Sequence, residues 1–346
     1  MKMLPLAMVV ALCGSAASVV TCPALAQSPS AYTLTRSVAL GAPDRWDYVS
    51  FEVRSGRVFV AHGDRLTVVD GQSGAILGEV TGFPGGTHGI AFSPSGGKGY
   101  TDDGASGTIG IFDLKSLKTL KRIKGVEDAD GIATDPVTGK VFVVNGDSKN
   151  VSVVDPATEA VVATIELGGK LEFAVADGAG KLFVNGAERS ELARIDTATN
   201  AVDARWSIAS CTSPHGLGMD TQSRRLFVSC TNNLLLVVNA DSGAVVASLP
   251  IGAGSDAVAF DPVRKRIFSS NGRDGTISVY EERSADHYVA LPTIRTTVSA
   301  KTMALDPRSG RLYVAAGEQE AQAPGAKGKA KIVPGSFKLL FIDPAP

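Results

Sequence analysis

An aromatic residue returns seven times at a nearly constant interval, each time inside the same short pattern. The residues are Phe59, Tyr100, Phe142, Phe183, Phe227, Phe268 and Tyr313, and the gaps between them are 41, 42, 41, 44, 41 and 45 residues. Each copy reads as an apolar run, a turn, a second run carrying the aromatic, a polar break, a third run and a fourth. A period of roughly 40–45 residues with four short strands per unit is the pattern of a β-propeller. The third copy shows the grammar. Gly131-Ile132-Ala133-Thr134 is extended, and Asp135-Pro136-Val137-Thr138-Gly139 turns the chain. Lys140-Val141-Phe142-Val143-Val144 is rich in β-branched and aromatic residues, as strands are. Val151-Ser152-Val153-Val154 and Val161-Val162-Ala163-Thr164-Ile165 complete the unit, separated by Asp155-Pro156. The third run closes on Asp70, Asp113, Asp155, Asp196 or Asp343, with Asn239 and Glu281 near that place in copies five and six. A short acidic side chain there is expected to accept hydrogen bonds from the turn backbone.

The fold expected is therefore all-β: a seven-bladed β-propeller over residues 27–346, with blades starting near 46, 87, 129, 171, 214, 255 and 300. Near-continuous apolar runs such as Leu234 to Val238 fit strands covered on both faces by neighbouring blades. The seventh copy, Met303 to Asp343, supplies only three strands, while residues 31–40 form a strand with no repeat of their own. That segment is expected to complete blade seven, joining the termini and removing an open sheet edge. Blade seven also carries the one long insertion, residues 317–334.

Residues 1–26 read as a secretory signal peptide: Lys2, an apolar run from Leu4 to Val20, and Ala24-Leu25-Ala26 before Gln27. The run is short for a spanning helix, and no second candidate span follows. Cleavage takes Lys2 away and shifts the formal net charge from −1 to −2. Such a balance supplies no clustered basic face of the kind that holds nucleic acid. The one basic stretch is Lys327-Gly328-Lys329-Ala330-Lys331, read as a solvated loop. Cys13 and Cys22 leave with the signal, and Cys211 and Cys230 remain. A cysteine pair in an exported chain predicts one disulfide, here across the end of a single hairpin. In the chain-entropy account it contributes roughly 3 kcal/mol. A periplasmic or secreted location follows.

Phe142-Val143-Val144-Asn145-Gly146 followed by Val151-Ser152-Val153-Val154-Asp155 resembles the "YVTN…SVID" repeat. Trp46-Asp47-Tyr48, His88-Gly89-Ile90-Ala91, Leu226-Phe227-Val228-Ser229-Cys230 and Thr302-Met303-Ala304-Leu305-Asp306-Pro307 agree with the same resemblance. The mature chain thus looks like a YVTN-repeat propeller of the YncE-like type. The resemblance implies the fold and carries no shared activity. His215, in Ser213-Pro214-His215-Gly216, stands where similar sequences are expected to have Thr.

Candidate functional residues emerge when the residues opening the innermost strand of each repeat are aligned: Asp47, His88, Asp130, Glu172, His215, Asp256 and Lys301. In a propeller these positions ring one mouth of the central channel. The ends of the second strands add His62, Asp103, Asn145, Asn185 and Asn271 to the candidate ligand-binding set. Polar groups at such a place can simply face water or cap loops. They can also bind a small anionic or hydroxylated ligand, or a periplasmic protein partner. A catalytic alternative is a metal-dependent lyase or lactonase. His88 with Asp47 and Asp130, or His215 with Glu172 and Asp256, would then hold a divalent ion. Without metal, a His–carboxylate couple would move a proton and Lys301 would stabilise an oxyanion. No Ser-His-Asp elbow, phosphate loop, nucleotide fingerprint or haem-attachment motif is present.

Overall fold

A computed structural model describes residues 31–321 and 330–345. The signal peptide expected at residues 1–26 and the basic positions Lys327 and Lys329 lie outside the described residues. The described chain forms seven four-stranded antiparallel sheets, each wound from the inside outward. Blade one, for example, is Val49–Glu52, Arg57–His62, Arg65–Asp70 and Ile76–Thr81. No helix among the described residues is long and apolar enough to cross a membrane.

The aromatic period has a packing cause. The buried apolar residues fall into seven clusters, one for each blade–blade interface. Phe59 packs into the interface with blade two, Phe142 into that with blade four, and Phe227 into that with blade six. Tyr313 packs into the interface between blades seven and one. All seven marker rings are essentially inaccessible to solvent. Each blade therefore repeats one large ring because each has one following neighbour to fill against. Burying such a side chain is worth roughly 1.5–3 kcal/mol, but only if that neighbour is present.

Closure occurs as the repeat count requires. Blade seven is ordered Tyr32–Ala39, Lys338–Pro344, Leu312–Ala316, Thr302–Leu305 from outside to inside. The N-terminal strand pairs antiparallel with the C-terminal one, from Tyr32 opposite Pro344 to Ala39 opposite Lys338. Tyr32 packs edge-on against Phe268 of blade six, with ring centroids 5.1 Å apart. On the other side, Tyr313 Oη donates to Gly71 O at 2.9 Å and Thr302 Oγ1 to Asp47 O at 2.6 Å, fastening blade seven to blade one.

The turn aspartates behave as expected at five of seven positions. Asp70, Asp113, Asp155, Asp196 and Asn239 each accept backbone N–H groups from the following turn. Asp343 instead pairs with Arg311, and Glu281 with Arg266. Neither is followed by the same turn: Asp343 lies near the end of Lys338–Pro344, the strand that pairs with the N-terminal one, and Glu281 lies mid-strand in the long Thr276–Ser284. Cys211 and Cys230 form the expected disulfide, with Cα atoms 5.2 Å apart and both residues buried.

Removing residues 32–39 should lower the midpoint of the whole thermal transition, because two blade faces lose their cover together. Calorimetry of residues 27–346 with and without that strand checks this. A truncated protein melting at the unchanged temperature would contradict the closure account.

Candidate functional site

The residues opening the innermost strands meet at one end of the channel. Their side chains are placed there by a repeated irregularity. The inner strand slips register against its neighbour between Ala129 and Gly131, Leu171 and Ala174, Pro214 and Leu217, and Ser255 and Val258. Asp130, Glu172, His215 and Asp256 sit inside those bulges. A bulge re-aims a side chain that would otherwise alternate into the blade interface. Three of the ring residues are followed by glycine for a spatial reason. A Cβ at Gly89 would lie 2.5 Å from Asp130 O, one at Gly131 2.9 Å from Glu172 O, and one at Gly216 2.7 Å from Asp256 O. The inner strands of adjacent blades approach too closely there for any side chain.

The ring is electrostatically one unit. Lys301 Nζ lies 3.1 Å from Asp256 Oδ2. His215 Nε2 lies 3.8 Å from Glu172 Oε1, and Lys170 Nζ lies 3.3 Å from that same oxygen. His215 Nδ1 donates to Ser213 O at 2.9 Å, which leaves Nε2 as the nitrogen facing the carboxylate. Burial and repulsion from Asp47 and Glu172 push the Asp130 carboxyl up to about 8. Burial likewise raises Asp47, against the pull of Lys301. Lys301 is held charged by Asp256 and Asp47. Four of the seven ring residues are acids, set against His88, His215 and Lys301, and Asp130 keeps its proton at neutral pH.

His88 has a partner that the sequence reading did not find. Asp102, fully buried, accepts the His88 backbone N–H through Oδ1 and the ring Nδ1–H through Oδ2, each at 2.7 Å. This pairing raises the imidazole to about 9 despite its burial, with further help from Asp47 and Asp130. Burial pushes the Asp102 carboxyl up as well, but the imidazolium and the backbone N–H oppose it. The His88 Nδ1–H thus points at Asp102 Oδ2. Its Nε2 has no partner among the described residues.

Below the ring the channel is closed by aromatics. Tyr48 of blade one and Phe173 of blade four meet across it, with ring centroids 4.6 Å apart at 33°. They line a cavity of about 180 Å³ with Ile90, Ile132 and Met303. The Tyr48 hydroxyl is raised well above its ordinary value by burial and by Asp130, Asp47 and Glu172. The mouth is consequently a cup with acidic walls and an aromatic floor.

The second-strand candidates do not join this cup. His62 is buried, takes the Thr67 hydroxyl on Nδ1 at 2.7 Å and donates Nε2–H to Pro43 O at 2.7 Å. Burial lowers it, so it is neutral and pins the entering chain. Asp103 is fully buried and holds the Arg122 guanidinium at 2.6 Å and Gly85 N at 2.5 Å. Asn145 and Asn271 donate within their own blades, to Asn150 and Ser152 and to Thr276 and Ser278. Asn185 donates to the His215 and Gly216 carbonyls, so it supports the ring from behind. The reason is strand alternation. The last residue of each second strand points into its blade, and the residue before it points toward the inner strand. Asp102 and Asn185 occupy that earlier position, together with Ser229 and Ser270, which bond the Gly216 and Ala257 backbones. Two adjacent acids in Thr101-Asp102-Asp103 are the signal that alternation would have resolved. The two expected metal sets around His88 and His215 are not assembled either. Among the described residues, no group of three or more His, Cys, Asp or Glu is arranged to hold a metal ion.

The model of the family described as "Domain of unknown function (DUF5074)" matches residues 62–247, more than half of the chain. The chain belongs to the DUF5074 family. The matched stretch of this DUF5074 protein runs from blade one into the outer strand of blade five. It includes His88, Asp102, Asp130, Glu172 and His215, while Asp47, Asp256 and Lys301 lie beyond it. No curated protein matches the chain. Among solved structures, the hydrazine synthase of Kuenenia stuttgartiensis superposes with a TM-score of 0.69 at 14% identity, over 77% of this chain and 91% of that one. At that identity the likeness concerns the fold alone.

Asp102→Asn should bring the His88 titration down from about 9 toward the ordinary 6.5. The wild-type pair stabilises the fold fully below pH 6.5 and loses that contribution as pH rises through about 9. Histidine NMR titration, with melting curves between those values, checks both statements. An unshifted His88 in the variant would contradict the pairing.

Proposed function

We propose that this chain is an exported, YncE-like propeller of the YVTN-repeat type that binds a small organic cation in the cup at its channel mouth, without catalysis. The observation that carries the reading is the convergence of Asp47, Asp130, Glu172 and Asp256 above the Tyr48–Phe173 floor, with Asp130 raised to about 8 by burial first and then by Asp47 and Glu172. Carboxylates that repel one another gain when a positive charge enters between them. An aromatic face beneath adds a cation–π contact worth roughly 0.5–2 kcal/mol. His88 Nε2–H and Lys301 Nζ supply donors at the rim, so a cation that also bears a hydroxyl matches the cup better than a bare one. Export rests on the signal-type N-terminus. A buried disulfide belongs with an oxidising compartment, the periplasm or the exterior.

Choline is the direct probe, since its charge does not change with pH. Calorimetric titration should show binding that strengthens as pH rises through about 8, where Asp130 loses its proton, and further through about 9, where His88 loses its charge. The Asp47→Asn/Asp130→Asn double variant should lose at least about tenfold in affinity. Absence of choline binding at pH 8, or binding indifferent to both substitutions, would overturn the proposal. Tight, stoichiometric Ca²⁺, Mn²⁺ or Zn²⁺ in place of choline would transfer the site to the metal-dependent lyase or lactonase alternative.

A further inference from the structure

Beside the acidic cup, on its blade six–seven edge, lies a separate cavity of about 590 Å³. Its lining differs in sign from the cup. Arg45, Arg273 and Lys301 line it, against the single carboxylate of Asp44. That carboxylate is already engaged: Oδ2 accepts Gly335 N at 2.7 Å and Oδ1 accepts Phe337 N at 3.0 Å. Neither arginine guanidinium has a hydrogen-bond or ion-pair partner among the described residues. Arg273 is exposed at the cavity wall.

The remaining wall is apolar and firmly built. Trp46 stacks on Phe337 with centroids 4.8 Å apart and planes 9° from parallel. Gly317 allows this, because a Cβ there would lie 2.7 Å from Trp46 and 2.9 Å from Ile332. Ile332 is itself held by a bridge to Gln319, and the Ser299 hydroxyl ties to Gly317 O at 2.6 Å. The Trp46 indole nitrogen is buried and has no hydrogen-bond partner among the described residues.

We propose that this cavity binds an organic anion with an apolar body, its acid group between Arg273 and Lys301 and its body against Trp46, Val298 and Ile332. Guanidinium groups with no internal partner bind acid groups through paired N–H donors. The volume lies within the range of small-molecule pockets, roughly 300–1,000 Å³. The site shares Lys301 with the cup, where its Nζ also meets Asp256 Oδ2 at 3.1 Å, while Arg273, unpaired among the described residues, belongs to this cavity alone, so the site stands whether or not the cup takes a cation.

Trp46 and Trp206 are the two tryptophans of the chain. Trp206→Phe, far around the ring in blade four, leaves Trp46 as the sole reporter. Benzoate titrated into this variant should change Trp46 emission saturably, and calorimetry on the natural chain should return the same affinity. Arg273→Ala should weaken benzoate at least about tenfold, Arg273→Lys less. Inorganic phosphate, which has no apolar body, should bind more weakly than benzoate. Choline should not compete, and Asp47→Asn/Asp130→Asn should leave benzoate binding in place, so the two sites fail independently. No saturable benzoate response up to ~10 mM overturns the proposal, as does Arg273→Ala binding like the natural chain. Phosphate binding as well as benzoate does would remove the apolar body from it.

Discussion

Face-to-face burial between neighbouring blades is the constraint on which everything else in this molecule rests. No blade has a core of its own. Each of the seven apolar clusters draws side chains from two sheets, so each sheet is satisfied only between two others. Such an arrangement has no natural end, and the chain resolves that by pairing residues 32–39 with 338–344. The same strand closes the hydrogen-bond ladder, and Tyr32 fills the interface against Phe268.

Closure has a chemical consequence at the axis. Seven inner strands packed around a narrow channel bring their opening residues within electrostatic reach of one another. In a straight ladder these residues would alternate into the blade interfaces. Register slips in blades three to six turn Asp130, Glu172, His215 and Asp256 toward the mouth instead. The glycines after His88, Asp130 and His215 permit the close approach that makes their charges interact. An acid such as Asp130, ordinary in isolation, becomes hard to ionise because it is buried and because blades one and four set Asp47 and Glu172 beside it. A pocket of opposite charge stands a few residues away, where the entering chain and the blade-seven insertion meet. The mouth therefore presents two chemistries side by side, with Lys301 on the border between them.

The repeat and the ring residues were legible because both depend on local order: a strand begins, an aromatic follows, a turn closes. Alternation within a strand was the harder matter. Asp103 and Asn145 end their strands as Asp102 and Val144 nearly do, and only the pairing partner tells which side chain turns inward. Asn145 and Asn271 proved to be bridges inside their own blades, and His62 a buried pin for residues 41–43. Trp46 and Tyr48 flank Asp47 in sequence, yet one walls the cationic cavity and the other floors the acidic cup. Nothing in the order of those three residues reveals that division.

Taken alone, the amino-acid order determined the number of blades, the place of the closing strand, the cysteine pair and the list of polar residues available at the inner strands. These follow from period, composition and short-range spacing, which act along the chain. Which of those polar residues share a field, which are spent on internal hydrogen bonds, and where a bare guanidinium meets an aromatic wall were decided only in three dimensions. Charge, burial and pairing act through space, and the ring sets beside one another groups that lie some 40 to 255 residues apart in the chain, as the hydrogen bonds from Ser50 to Ile90 and from Thr302 to Asp47 do.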